Sequence, residues 1–147
     1  MGRGVVLEQG GRVVLVGYGY GALLASQSAD LVAERVGERP TVVNARFAKP
    51  IDGELMRTLA AEHELIVTIE DHAVVGGFGS AVLEALDGSP TPVLRLGIPD
   101  HFVDHGKREL LLAEVGLVPS AVADRVADAL APVRRLTLRA TPSGRSA

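Results

Sequence analysis

Short, almost wholly apolar runs alternate along this chain with longer stretches whose apolar residues fall near helical spacing. Val5-Val6-Leu7-Glu8 and Arg12-Val13-Val14-Leu15-Val16 are the first two β-type runs, and the second is apolar on both faces, as expected of a buried central strand. Gln9-Gly10-Gly11 between them supplies the positive-φ positions of a tight hairpin. Beyond Gly17-Tyr18-Gly19-Tyr20-Gly21, the residues Leu24, Leu31, Val32 and Val36 predict a helix that stops at Gly37. Thr41-Val42-Val43-Asn44 predicts the second core strand. Pro50 bars helix just before it and Asp52 offers an N-cap, so the next helix is expected from Gly53 to about His63, with Leu55, Met56, Leu59 and Ala60 inward.

Leu65-Ile66-Val67-Thr68-Ile69 predicts a third core strand that ends in the polar trio Glu70-Asp71-His72. Gly76-Gly77-Phe78-Gly79-Ser80 leads into a short helix carrying Val82, Leu83 and Leu86, and Pro92-Val93-Leu94-Arg95-Leu96 predicts the fourth core strand. Ile98 to Gly106 reads as loop, followed by helices over about Lys107 to Val115 and Ser120 to about Leu130. Strands separated by helices run parallel, whereas the first strand, joined by a tight turn, runs antiparallel. The predicted fold is therefore α/β and three-layered: a five-stranded, mostly parallel sheet with one antiparallel edge strand and helices on both faces. The folded domain is expected over residues 1–130, with a flexible tail over 131–147. Residues 129–147 hold Arg134, Arg135, Arg139 and Arg145 and no acid, a local charge of +4.

Composition narrows the function. With 147 residues, 47% of them apolar, the chain supplies one sizeable core. A net charge of −3 gives no field to steer nucleic acid. The absence of cysteine removes disulfides, thiol catalysis and thiolate-ligated metals, and suits a reducing cytoplasm. No run approaches the roughly 18 consecutive apolar residues of a membrane span, and Met1-Gly2-Arg3-Gly4 opens no signal-peptide run.

Gly17, Gly19 and Gly21 lie between a strand and a helix, the setting of a dinucleotide-binding turn. The third glycine comes two residues after the second where that motif needs three, and Asn44 ends the second core strand where a ribose-binding acid would sit. A tight strand-to-helix turn is the simpler reading. Gly76, Gly77 and Gly79 before a helix allow either an anion-binding nest or a close helix–strand bend. His101 and His105, with Asp100 and Asp104, have metal-ligand spacing only if helical, and Pro99 and Gly106 argue for loop. Glu70, Asp71 and His72 lie at the carboxyl end of a parallel strand, where open α/β sheets carry functional groups. No Ser or Cys nucleophile stands out beside them, which favours a structural or interface role.

Three stretches in order carry a resemblance: Asn44-Ala45-Arg46-Phe47-Ala48-Lys49-Pro50-Ile51-Asp52, Glu70 to Ser80, and Gly97-Ile98-Pro99-Asp100-His101-Phe102-Val103-Asp104-His105-Gly106. Together they resemble the C-terminal domain of transketolase-like thiamine-diphosphate enzymes. The third stretch, with Glu114-Val115-Gly116-Leu117 behind it, points to the 1-deoxy-D-xylulose-5-phosphate synthases within that group. The resemblance implies a parent enzyme that condenses pyruvate with glyceraldehyde 3-phosphate, releasing CO2, in the service of isoprenoid and thiamine biosynthesis. It also implies that thiamine diphosphate and Mg2+ are held by upstream domains through a Gly-Asp-Gly motif that this chain lacks. On that reading the chain has no catalytic, cofactor or metal residue of its own. It packs on the upstream domains and helps form a homodimer, with Glu70, Asp71, His72, Gly76, Gly77, Phe78 and Gly79 as the candidate interface. Two alternatives stay open: the partner-docking domain of a 2-oxo acid dehydrogenase beta subunit, and a standalone nucleotide- or anion-binding domain.

Overall fold

A computed structural model describes residues 2–100 and 105–140. In chain order the elements are β1 (Val5–Glu8), β2 (Val13–Gly17), α1 (Tyr20–Val36), β3 (Thr41–Asn44), α2 (Gly53–Glu62), β4 (Leu65–Ala73), α3 (Phe78–Ala85), β5 (Val93–Ile98), α4 (Arg108–Glu114) and α5 (Pro119–Ala140). β2 is buried at every position and sits at the centre of a single sheet of order β1-β3-β2-β4-β5. β3, β2, β4 and β5 run parallel, and β1 lies antiparallel at one edge. Strand alternation sends Val13 and Leu15 to one face and Val14 and Val16 to the other. The first face packs against α1 and α5 through Leu24, Val32, Val122 and Val126, the second against α2 and α3 through Met56, Leu59, Phe78 and Val82. The expected three-layer α/β fold is thus the observed one.

The expected hairpin is corrected. β1 does not pair with β2, because β2 already has β3 on one side and β4 on the other. Instead β1 pairs with β3, Val5 opposite Asn44 and Val6 opposite Val43. The link between β1 and β2 crosses the start of β3, where the Gly10 N–H donates to Thr41 Oγ1 at 3.0 Å and the Gly11 N–H to the Arg39 carbonyl at 2.9 Å. Buried His63 closes the same corner, its Nδ1 lying 2.8 Å from the Leu59 carbonyl and its Nε2 2.9 Å from Thr41 Oγ1. A carbonyl only accepts, so Nδ1 carries the proton and Nε2 accepts from the threonine. Arg39 straps β1 to α1 by bonding Glu8 and, at 2.6 Å, Asp30, and it holds the Glu8 carboxyl below its usual range. Such exposed pairs contribute little stability.

The helix stops follow local chemistry. Gly37 caps α1 in the left-handed conformation, and Asp52 caps α2 by accepting the Leu55 N–H at 3.0 Å. The last helix is the second correction. Its predicted end near Leu130 falls short, because α5 runs through Pro132 to Ala140. Val133 packs on the α1-side core, and Arg134 donates to the Val36 carbonyl at the end of α1, 3.1 Å away. Those two anchors hold the helix where its apolar period thins. The remainder of the expected tail, residues 141–147, lies outside the described residues.

The glycine-rich turn after β2 serves close approach. A Cβ on Gly21 would stand 1.9 Å from the Ile69 carbonyl oxygen, so the first turn of α1 rests directly on the backbone of β4. Gly21→Ala is expected to destabilise the fold by about 1–3 kcal/mol, as overpacking does. Urea unfolding measures it, and a wild-type midpoint would refute the backbone-to-backbone seat.

Candidate functional site

The carboxyl ends of the parallel strands gather the polar residues, and strand alternation sorts them. On β4, Ile66, Thr68, Glu70 and His72 share the side toward α2 and α3, while Asp71 turns to the other. Glu70 is 1% exposed. Its Oε2 accepts the Phe78 N–H at 2.7 Å and its Oε1 the Gly79 N–H at 2.9 Å, so the carboxylate caps α3 from a distance in sequence. Gly77 makes room for it: a Cβ there would stand 2.3 Å from both Glu70 Oε2 and the Ala73 carbonyl. Its φ of −88° is ordinary, so space and not backbone strain demands glycine. Asp71 Oδ2 accepts from Arg108 Nη2 at 2.7 Å, and its Oδ1 lies 3.4 Å from Nδ1 of the largely exposed His72. The Arg108 guanidinium in turn lies over the Tyr20 ring, 5.0 Å from its centroid.

Beside Glu70 opens a cavity of about 600 Å3, lined among others by Tyr18, Arg46, Phe47, Lys49, His72 and Gly76. Tyr18 stacks on Phe78 at 5.4 Å between ring centroids and meets His72 at 6.0 Å. Arg46 adopts φ 62°, held by its N–H donating to Asn44 Oδ1 at 2.9 Å, and its guanidinium lies 5.7 Å from the Phe47 centroid. A smaller, more apolar cavity of about 310 Å3 lies between Asp71, Ile98, Arg108, Leu111 and Val115.

The structure therefore divides the seven candidate residues. Glu70, Phe78 and Gly79 are internal, while Asp71, His72, Gly76 and Gly77 retain surface. Within the trio both Glu70 oxygens are engaged by backbone N–H groups, and Asp71 reaches Arg108 through Oδ2 and His72 through Oδ1; nearby, Ser80 Oγ donates to the Val74 carbonyl at 3.2 Å. Tyr18 and Arg108 are not among the candidate site residues the sequence offers, and Arg46 and Lys49 enter only as part of a family signature. The glycines flanking Tyr18 marked the turn without telling which ring it would present. Of the histidine–aspartate pairs considered for metal, Asp100 and His105 are exposed, and His101 and Asp104 lie outside the described residues. Among the described residues no three His, Cys, Asp or Glu side chains cluster to hold a metal.

Residues 2–122 match the family model of the transketolase C-terminal domain. The chain is 45% identical over 134 residues to the 1-deoxy-D-xylulose-5-phosphate synthase of Trichodesmium erythraeum (strain IMS101), covering 90% of this chain and 21% of that protein. It is 49% identical over 122 residues to the synthase of the same name from Bordetella avium (strain 197N), covering 80% and 18%. The chain thus spans about a fifth of the length of the curated relatives it matches. Among solved structures it is similar to a protein described as "Split gene transketolase, inactive beta4 tetramer", with a TM-score of 0.78 and 38% identity over 88% of this chain and 41% of that one.

Removing the Glu70 carboxylate strands two buried N–H groups, each worth about 1–3 kcal/mol unsatisfied. Glu70→Ala is therefore expected to lose at least about 2 kcal/mol, and Glu70→Gln, which keeps one acceptor oxygen, less. Gly77→Val is expected to lose about 1–3 kcal/mol by overpacking. Denaturant midpoints read all three; an unchanged Glu70→Ala would show that the cap adds nothing.

Proposed function

The chain belongs to the transketolase C-terminal domain family, and from that premise we propose that it is the C-terminal domain of a 1-deoxy-D-xylulose-5-phosphate synthase. The observation that carries this reading is its 45–49% identity, over most of its length, to synthases of that name. The whole enzyme would condense pyruvate with glyceraldehyde 3-phosphate and release CO2, a transferase step toward isoprenoid and thiamine precursors. Thiamine diphosphate with Mg2+ would supply the decarboxylating chemistry from other domains. The residues here do not fit that cofactor: the sequence has no Gly-Asp-Gly, and no three acidic or imidazole side chains converge among the described residues.

The domain's own work is docking. Its carboxyl edge is the surface proposed to meet the upstream domains, and a homodimer is proposed to form with its help. Glu70, Phe78 and Gly79 would hold the edge in shape from inside, and Asp71, His72, Gly76 and Gly77 would present it. The domain proper is proposed to span residues 1–130, with α5 carrying on into the Arg-containing end. No helix among the described residues is long and apolar enough to cross a membrane, and we place the enzyme in the cytoplasm.

Exchanging the corresponding domain of the Trichodesmium erythraeum synthase for this chain is expected to give an active chimera. A folded chimera without synthase activity would overturn the assignment. In that chimera His72→Ala should leave turnover largely intact and weaken association or lower Tm, since a docking contact moves no proton. A general acid or base would contribute about 10²–10⁴-fold, so a hundredfold fall in turnover with an unchanged assembly would make His72 catalytic. The isolated chain should neither bind thiamine diphosphate nor consume pyruvate. Calorimetry with Mg2+ present tests the first, and saturable micromolar binding would sink the placement of the cofactor elsewhere.

A further inference from the structure

The order β1-β3-β2-β4-β5 contains one reversal. The chain leaves β2 for β3 on one side and returns across β2 to β4 on the other. At that switch point α1 departs toward one face of the sheet and α3 toward the other, so a crevice opens at the carboxyl ends of β2 and β4. Open α/β sheets place ligands there. Here the crevice is the cavity of about 600 Å3 between Tyr18 at the end of β2 and His72 at the end of β4.

Its charges are unevenly committed. Of the charged side chains that line it, Arg46 and Lys49 are in no ion pair among the described residues, a state they share with Arg57 and Arg95 elsewhere. Glu70, the carboxylate that lines the cavity, is buried and bonded by the Phe78 and Gly79 N–H groups, so it is not free to neutralise them. Arg46 is also pre-positioned, by the Asn44 contact to its N–H and by its place over the Phe47 ring. His72, whose Nδ1 lies 3.4 Å from Asp71 Oδ1, adds a largely exposed imidazole to the lining, with its Nε2 left for a ligand.

We infer that this switch-point crevice is a binding site for an oxyanion, a phosphate or a carboxylate, held by Arg46 and Lys49 with His72 facing them. A phosphate would arrive on a small molecule, a carboxylate on an acidic side chain of a docked domain. The phosphate source rests on the crevice alone, and the carboxylate source rests in addition on the docking role proposed above.

Amide NMR of the chain, titrated separately with inorganic pyrophosphate and with acetate, tests it. Saturable shifts are expected at Tyr18, Arg46, Lys49, His72 and Gly76. They should weaken about tenfold or more in Arg46→Gly/Lys49→Ala, the loss of two charge-assisted contacts. Glycine suits the left-handed backbone at position 46, and Lys49→Ala alone provides a second variant that should weaken binding in the same direction. Saturation by pyrophosphate but not acetate identifies a phosphate ligand; saturation by acetate at least as tight as by pyrophosphate identifies a carboxylate-reading pocket. Absence of saturation, shifts that spread equally to Arg35, Arg39 and Arg134, or binding that survives both variants would overturn the site.

Discussion

A carboxylate buried at the end of β4 governs the geometry of the whole carboxyl edge. Desolvating Glu70 costs several kcal/mol unless its oxygens are bonded, and the Phe78 and Gly79 N–H groups bond both. Those groups are also the unpaired donors at the start of α3, where the helix dipole favours negative charge. One contact therefore satisfies three polar groups that would each be costly alone. It also forces the connection from β4 to fold back tightly, which is why position 77 has no room for a side chain. Phe78, set by the same contact, becomes the floor on which Tyr18 stacks and against which His72 is arranged.

A second constraint acts from the opposite face. α1 meets β4 backbone to backbone at Gly21 and Ile69, and the Tyr18 N–H donates to the same Ile69 carbonyl at 3.0 Å. The turn after β2 and the end of β4 are thus joined directly, with no flexible side chain between them. Such a junction has no side chain whose rotation could open it. The glycine at position 21 is what lets the turn seat on a strand, with a Cβ there only 1.9 Å from the Ile69 carbonyl oxygen.

Alternating apolar runs made the order of strands and helices legible, because burial on both faces of a parallel strand leaves a plain mark on the sequence. Pairing was less legible. Gln9-Gly10-Gly11 has hairpin chemistry, yet competition for the two flanks of β2 is decided by elements far along the chain. The extent of α5 was hidden for a similar reason, since Arg134 is anchored by a carbonyl at Val36. At the site, Glu70-Asp71-His72 read as one cluster, although period-two alternation sends its middle member to the opposite face. What no local pattern could reveal is the partner of each: Asp71 finds Arg108 and Arg46 turns through a left-handed backbone.

The disposition of charge separates the two kinds of work an α/β edge can do. Proton-transfer sites keep an acid or base available, with a pKa placed near the working pH and a clear path to the reacting atom. Here Glu70 is consumed by backbone and Asp71 by Arg108, while Arg46 and Lys49 stand open. An edge arranged that way fits the proposed receipt of negative charge better than proton transfer, with the exposed imidazole of His72 as the one imidazole or carboxyl group among those named that is not fully committed. Set on a backbone fixed by Gly21 and Gly77, it suits recognition of a rigid, anionic counterpart. That property is the one the docking role proposed for this domain calls for.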